Sequence, residues 1–317
     1  MRTKKQNAIL VCLALACIAV YVAVAVLGVW LLTLERRRLP APTPVPVPFV
    51  SPITYTYYLP LVAKNYPLPP SHGVAMTYAG LPGACGWLEE MNVDWHYNWS
   101  PNEVPICPGV EFVPMMRQSS DIGREIPAGS KWLLGFNECG IPGQCPDTIH
   151  EAVVGWRALE QEYPNVKLAS PATLGWNGYG RLWWIEDWYA NYVATYGEPP
   201  RLDALAIHCY GDDAFCQAFL SDTIDFADSI GGLPVWVTEF GNPPRAGVDE
   251  AQMLASMGTM VEWFKANPRI VRWAWFSLTY RGDEDWVPGS WVEPYTPLVD
   301  FDTGELTGCG ELYRDLR

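Results

Sequence analysis

Two glutamates in this chain stand where chemistry could be done. Glu138 falls in Lys131–Gly140, KWLLGFNECG, and Glu239 in Leu233–Gly241, LPVWVTEFG. Each ends an apolar run that reads as a buried strand, so each carboxylate could enter a cleft at a strand's end. Two carboxylates on the ends of separate strands suit glycoside hydrolysis, where one protonates the departing oxygen and the other attacks the anomeric carbon or activates water. The competing reading is a pair of ordinary capping or surface glutamates. Polar and aromatic residues recur at comparable positions. Asn137 precedes Glu138. In WHYNW, Trp95, Tyr97 and Trp99 share one side of a strand, with His96 and Asn98 on the other. His208 and Tyr210 are two apart and share a face. Indole faces stack on the C–H surface of sugar rings, while amide, imidazole and phenol groups bind hydroxyls. The expected binding residues are therefore Asn137, His208, Tyr210, Trp95, Tyr97, Asn98, Trp99, Trp176, Trp184 and Trp275, with Trp275 as the floor beneath the sugar being cleaved. Trp286 and Trp291 are further platforms in the same rim loops.

The elements that must carry these residues alternate. Candidate strands are 73–78, 93–99, 111–116, 132–136, 166–170, 205–208, 235–238 and 271–276. Helix candidates cover 146–162, 179–197, 216–230 and 249–267. Eight short strands interleaved with helices over about 245 residues predict parallel βα units and a (β/α)8 TIM barrel. A doubly wound sheet is the alternative. In a barrel the strands' C-terminal ends carry function, and both glutamates lie there.

Residues 8–34, AILVCLALACIAVYVAVAVLGVWLLTL, are almost unbroken apolar sequence, long enough for a transmembrane helix. The expected organisation is a cytoplasmic N-terminus over 1–7, an anchor over 8–34, a juxtamembrane and proline-rich linker over 35–70, and a catalytic domain over 71–317. The domain would then sit at the cell surface, held to the membrane by its N-terminal helix. If the segment is a cleaved signal peptide, the domain is secreted.

Six of the 21 basic residues but one of the 35 acids precede residue 39, leaving 15 against 34 beyond it. Such a surface repels nucleic acid and anionic polymers and suits a neutral glycan. No glycine-rich phosphate loop is evident, and no cofactor is expected. Of nine cysteines, Cys12 and Cys17 lie in the apolar run. Among the rest, Cys139–Cys145 and Cys209–Cys216 would close small loops and Cys85–Cys107 a longer one, as disulfides of an oxidising compartment. Zinc is disfavoured by the absence of CxxC and by only four histidines. No metal is expected, and the domain is expected to act as a monomer.

At these residues the chain resembles the Asl1-like glycosyl hydrolase catalytic core, glycoside hydrolase family 128, within the clan A barrels. The segments are WHYNW (Trp95–Trp99), FVPMM (Phe112–Met116), LLGFNE (Leu133–Glu138), ASPA (Ala169–Ala172), DALAIHCYG (Asp203–Gly211), PVWVTEFG (Pro234–Gly241) and LTGCGELYRDL (Leu306–Leu316). The resemblance implies a (β/α)8 barrel and retaining hydrolysis of internal bonds in β-1,3-glucan. It makes Glu138 the acid/base and Glu239 the nucleophile. Family members continue the strand-four motif as Asn-Glu-Pro-Asp, whereas this chain has Asn137-Glu138-Cys139-Gly140. Glu239 should be kept ionised by hydrogen bonds, from Tyr210 first, and Asn137 should meet the sugar 2-hydroxyl.

Overall fold

A computed structural model describes residues 71–77, 83–141, 143–176, 182–241, 249–280 and 297–317. All fall within one compact unit spanning Leu59–Arg317. The strands are β1 Ser71–Ala75, β2 Trp95–Tyr97, β3 Glu111–Phe112, β4 Trp132–Leu134, β5 Lys167–Ala169, β6 Thr173–Trp176, β7 Leu205–Tyr210, β8 Val235–Gly241, β9 Ile270–Phe276, β10 Thr279–Tyr280 and β11 Val299–Asp300. The α-helices are α1 Ala84–Glu90, α2 Ile149–Glu162, α3 Trp183–Tyr196, α4 Asp213–Ser229, α5 Glu250–Ala266 and α6 Gly308–Asp315.

Parallel pairing runs round a closed circuit. One sheet has the order β3-β2-β1-β9-β8-β7-β6, and β4 pairs with β5 beside it. Parallel bridges Met115–Leu134, Asn137–Ala172 and Ala169–Ala204 join the two. β5 and β6 occupy one position, interrupted at Ser170-Pro171-Ala172, where proline has no N–H to give the ladder. The result is an α/β fold with a barrel-like core. Its connections are uneven. The β2–β3 link has no helix among the described residues, and the β3–β4 link has only the 3₁₀ turn Ser119–Asp121. α2 and α5 start in full capping boxes, Thr148 with Glu151 and Asp249 with Gln252.

Side-chain parity sorts the core into two layers. Trp95, Trp132 and Trp236 fill the interior floor, with Ala75, Ala169, Ala206 and Ala274 on other strands making room for them. Gly73 has no choice of residue here, because a Cβ would stand 2.5 Å from the Trp95 ring. Arg272 lies over Trp236 at 4.3 Å and pairs with Glu111 at 2.6 Å. This packed floor closes the interior beneath the strands' C-terminal end. The outer layer, between strands and helices, holds Leu133, Phe136, Trp156, Ile207, Val237, Phe240, Trp273 and Trp275. Disulfides join Cys85 to Cys107, Cys139 to Cys145 and Cys209 to Cys216, the three expected pairs, and Cys309 is buried outside these bridges.

The transmembrane part of the expected architecture is corrected. Among the described residues no helix is long and apolar enough to cross a membrane. The longest, α4 and α5, have 17 residues and carry charged side chains, short of the roughly 20 apolar residues a span needs. Residues 8–34 lie outside the described residues. The membrane partner and the cell-surface placement that rested on them are withdrawn with the helix.

Candidate active site

Glu138 and Glu239 meet at the C-terminal mouth of the core, both buried. Neither arrives by regular strand geometry. Along β8, Trp236 points inward and Val237 outward, so simple alternation would send Glu239 outward too. The register breaks instead: Ile207 pairs with Val237, but His208 pairs with Glu239. Thr238 is the extra residue of a β-bulge, and it returns Glu239 to the inner face beside His208. At the end of β4, Glu138 adopts φ 51°, a left-handed conformation that a non-glycine residue enters at a cost. That bend lets consecutive residues, Asn137 and Glu138, both turn to the mouth.

His208 stands between the two acids. Its Nδ1 is 2.7 Å from Glu138 Oε1 and its Nε2 is 3.5 Å from Glu239 Oε1. One oxygen of each carboxylate and a ring nitrogen of His208 lie within 4.8 Å of one another. Burial opposes a charge on His208, but the Glu239 and Glu138 carboxylates outweigh it and raise its pKa. Glu239 accepts hydrogen bonds on both oxygens. Tyr97 Oη donates to Oε1 at 2.9 Å, Trp99 Nε1 donates to Oε1 at 3.0 Å, and the Tyr210 phenol donates to Oε2. Burial still lifts the Glu239 carboxyl above its ordinary range. The His208 charge opposes that rise, the Glu138 charge adds to it, and the Tyr210 and Tyr97 hydrogen bonds oppose it. The phenols Tyr97 and Tyr210 are themselves pushed well up, by burial first and then by Glu239, so they remain donors. By ligand type the trio Glu138, His208 and Glu239 could hold a metal ion. The 2.7 Å His208–Glu138 contact is a direct hydrogen bond, closer than the roughly 3.3 Å separating two tetrahedral ligands at about 2.0 Å from zinc.

Of the other expected site residues, Asn137 is at the mouth, its Nδ2 donating to Gln144 Oε1 at 3.3 Å. Asn98 spends its side chain on its own turn, Oδ1 accepting from the Ser100 N–H and Nδ2 donating to Asn102 O. Trp95 lies beneath Tyr97 in the packed floor. Trp184 is buried against Gly140, whose φ of 87° turns the Cys139–Cys145 loop over the indole. Trp275 points outward. It pairs with Val74 across the sheet and packs edge-on against Phe240. The inward residue of β9 is its neighbour Phe276, which pairs with Ala75 and faces Trp99 and Tyr210, ring centroids 5.8 and 5.9 Å away. Parity alone could have found Phe276, since Ala274 and Phe276 share a face that Trp273 and Trp275 do not. Gln144 carried no sequence signal beyond its place in a stapled loop. The Trp176 side chain, Trp286 and Trp291 lie outside the described residues.

A model of the family described as glycosyl hydrolase catalytic core matches residues 74–313. Several solved structures share the fold over 77–78% of this chain. One is a subgroup II family 128 endo-β-1,3-glucanase from Pseudomonas viridiflava, 26% identical, with TM-score 0.62 and 98% of that chain covered. Another is a subgroup III curdlan-specific exo-β-1,3-glucanase from Blastomyces gilchristii, 25% identical, with TM-score 0.59 and 97% covered. A subgroup II endo-β-1,3-glucanase from Sorangium cellulosum, at 24% identity and TM-score 0.61 with 98% covered, shows the fold. No curated protein matches the chain.

Proposed function

From the premise that this chain belongs to the glycosyl hydrolase catalytic core family, as an Asl1-like glycoside hydrolase of family 128, we propose that it cleaves internal β-1,3-glucosidic bonds of a neutral glucan with retention. Glu138 is the acid/base and Glu239 the nucleophile. The observation that carries this reading is the close approach of the two buried acids, with an oxygen of each within 4.8 Å of the other. Retaining pairs stand about 5–5.5 Å apart, whereas inverting pairs leave about 6.5–9.5 Å for a water.

In the first step a Glu239 oxygen bonds to the anomeric carbon, the bond from that carbon to the leaving sugar oxygen breaks, and the Glu138 proton passes to that oxygen. In the second step water adds to the anomeric carbon, gives its proton to Glu138, and displaces Glu239. A proton on His208 Nδ1 makes Glu138 Oε1 an acceptor, which leaves Oε2 to carry the catalytic proton. The second hydrogen of Asn137 Nδ2 meets the sugar 2-hydroxyl, a contact that strengthens toward the transition state. Phe276 takes the floor position. The acidic surface turns away anionic polysaccharides. The β-1,3 linkage and internal attack rest on the Pseudomonas viridiflava relative.

Glu138→Ala should lose activity on laminarin, and on a dinitrophenyl β-laminaribioside, whose leaving group needs no acid, azide should restore turnover and yield a β-glycosyl azide. An α-glycosyl azide would sink the assignment. Laminarihexaose should give several shorter oligosaccharides at once, whereas glucose and laminaripentaose as the only early products would make attack terminal, as in the Blastomyces gilchristii relative. No release from any β-glucan would leave a glycan-binding barrel.

A further inference from the structure

Trp99, like Tyr97 and Tyr210, bonds its polar edge to Glu239, but it is held there by a left-handed backbone. Its φ is 53°, a region bulky residues rarely enter. Asn98 clamps the bend from both sides, accepting from Ser100 N–H at 3.2 Å and donating to Asn102 O at 3.0 Å. The bend lays the indole edge-on to Tyr97 and Phe276 and brings Nε1 to 3.0 Å from Glu239 Oε1. A strained conformation persists only where its surroundings over-determine it, and what it secures here is that hydrogen bond.

An indole N–H can donate but cannot accept. Oε1 also takes the Tyr97 hydrogen bond at 2.9 Å, with His208 Nε2 at 3.5 Å. Two donors use both lone pairs of Oε1, while Oε2 meets the Tyr210 phenol. The geometry points to Trp99 as a positioning residue for the nucleophile: its N–H holds Oε1 of Glu239 as the non-reacting oxygen, and Oε2 makes the bond to the anomeric carbon. This rests on Glu239 being the nucleophile. As the Oε2–carbon bond forms, the bond to the leaving oxygen breaks and the Glu138 proton moves to that oxygen. The carboxylate's charge is spent in the ester, so donors that stabilise the ionised acid also set the pH at which it becomes competent. The titratable groups facing Glu239 are Glu138 from the end of β4, His208 and Tyr210 from β7, and Tyr97 from β2. Trp99 adds a donor that never titrates.

The test places 3-benzothienylalanine at position 99, which keeps the ring outline and puts sulfur where the N–H was. Trp99→Phe is the second variant. Loss of the donor should move the acid limb of kcat/KM up by about one pH unit, with KM at the optimum nearly unchanged. If the indole is only a sugar platform, the isostere will keep the wild-type profile, and the inference fails. A crystal of the enzyme trapped with a 2-deoxy-2-fluoroglucosyl donor should show the ester on Oε2, with Trp99 still on Oε1. An ester on Oε1 overturns it. Full activity of Glu239→Ala would instead remove the nucleophile assignment itself, a separate failure.

Discussion

A single step along a strand decides what an aromatic side chain does in this molecule. Trp275 and Phe276 are adjacent, yet one packs in the outer layer and the other faces Trp99 and Tyr210, which bond Glu239. Their substitutions should therefore fail in different ways. Phe276→Ala should lower kcat/KM about tenfold, the loss of roughly 1.4 kcal/mol of ring contact, with little change in melting temperature. Trp275→Ala should cost about 3–5 kcal/mol of stability through the cavity it leaves, while the folded fraction keeps its KM. Denaturant melts with Michaelis–Menten kinetics on both variants separate the two. A Trp275→Ala protein that is stable but catalytically crippled would restore that indole to the site. The same scale explains Trp99, which an unbent chain would offer to a sugar but which its left-handed backbone turns to Glu239.

Where the element is a loop, the stapled turn after β4 takes over the support of Asn137. Cys145 N–H donates to Asn137 O at 3.2 Å, Gln144 takes the Asn137 amide, and Arg117 donates to Gly143 O. The Cys139–Cys145 bridge closes this turn over the buried Trp184. By chain entropy so short a loop contributes about 2 kcal/mol. Its effect on rate can be larger, because a displacement of about 1 Å at a catalytic group can cost about a hundredfold. The double variant Cys139→Ser/Cys145→Ser should thus lose kcat at temperatures where circular dichroism still reports a folded core. Equal loss of activity and of structure on one melting curve would reduce the bridge to a general staple. β8 makes the companion point without a covalent bond, since the extra residue Thr238 turns Glu239 inward.

Taken whole, the molecule buries two imidazoles besides His208: His72, which pairs with Asp94, and His96. His96 packs against Phe112 with neither ring nitrogen hydrogen-bonded, and Glu103 lies 3.5 Å from Nε2. Burial pushes its pKa down to about 4. A histidine whose folded pKa lies below its unfolded value of about 6.5 contributes stability that is complete above 6.5 and is lost as pH falls toward 4. The loss should reach about 3 kcal/mol, and His96→Gln should flatten the stability profile across that window. A parallel profile in the variant would assign the acid sensitivity to other groups. The length and alternation of the elements, the three cysteine pairings and the ends of β4 and β8 as sites for acids were all readable in the residues, because periodicity, loop closure and strand termination are local properties. The membrane helix drawn from 8–34 has no counterpart among the described residues. Composition also nominated the tryptophans as sugar platforms, but only the packed fold sent Trp95 to the floor, Trp184 beneath a loop and Trp275 outward. Facing is set by accumulated parity, and one inserted residue reverses it. The bulge at Thr238 and the left-handed residues Trp99 and Glu138 are such reversals. They are fixed by what stands opposite in the closed core, which no local stretch of sequence records.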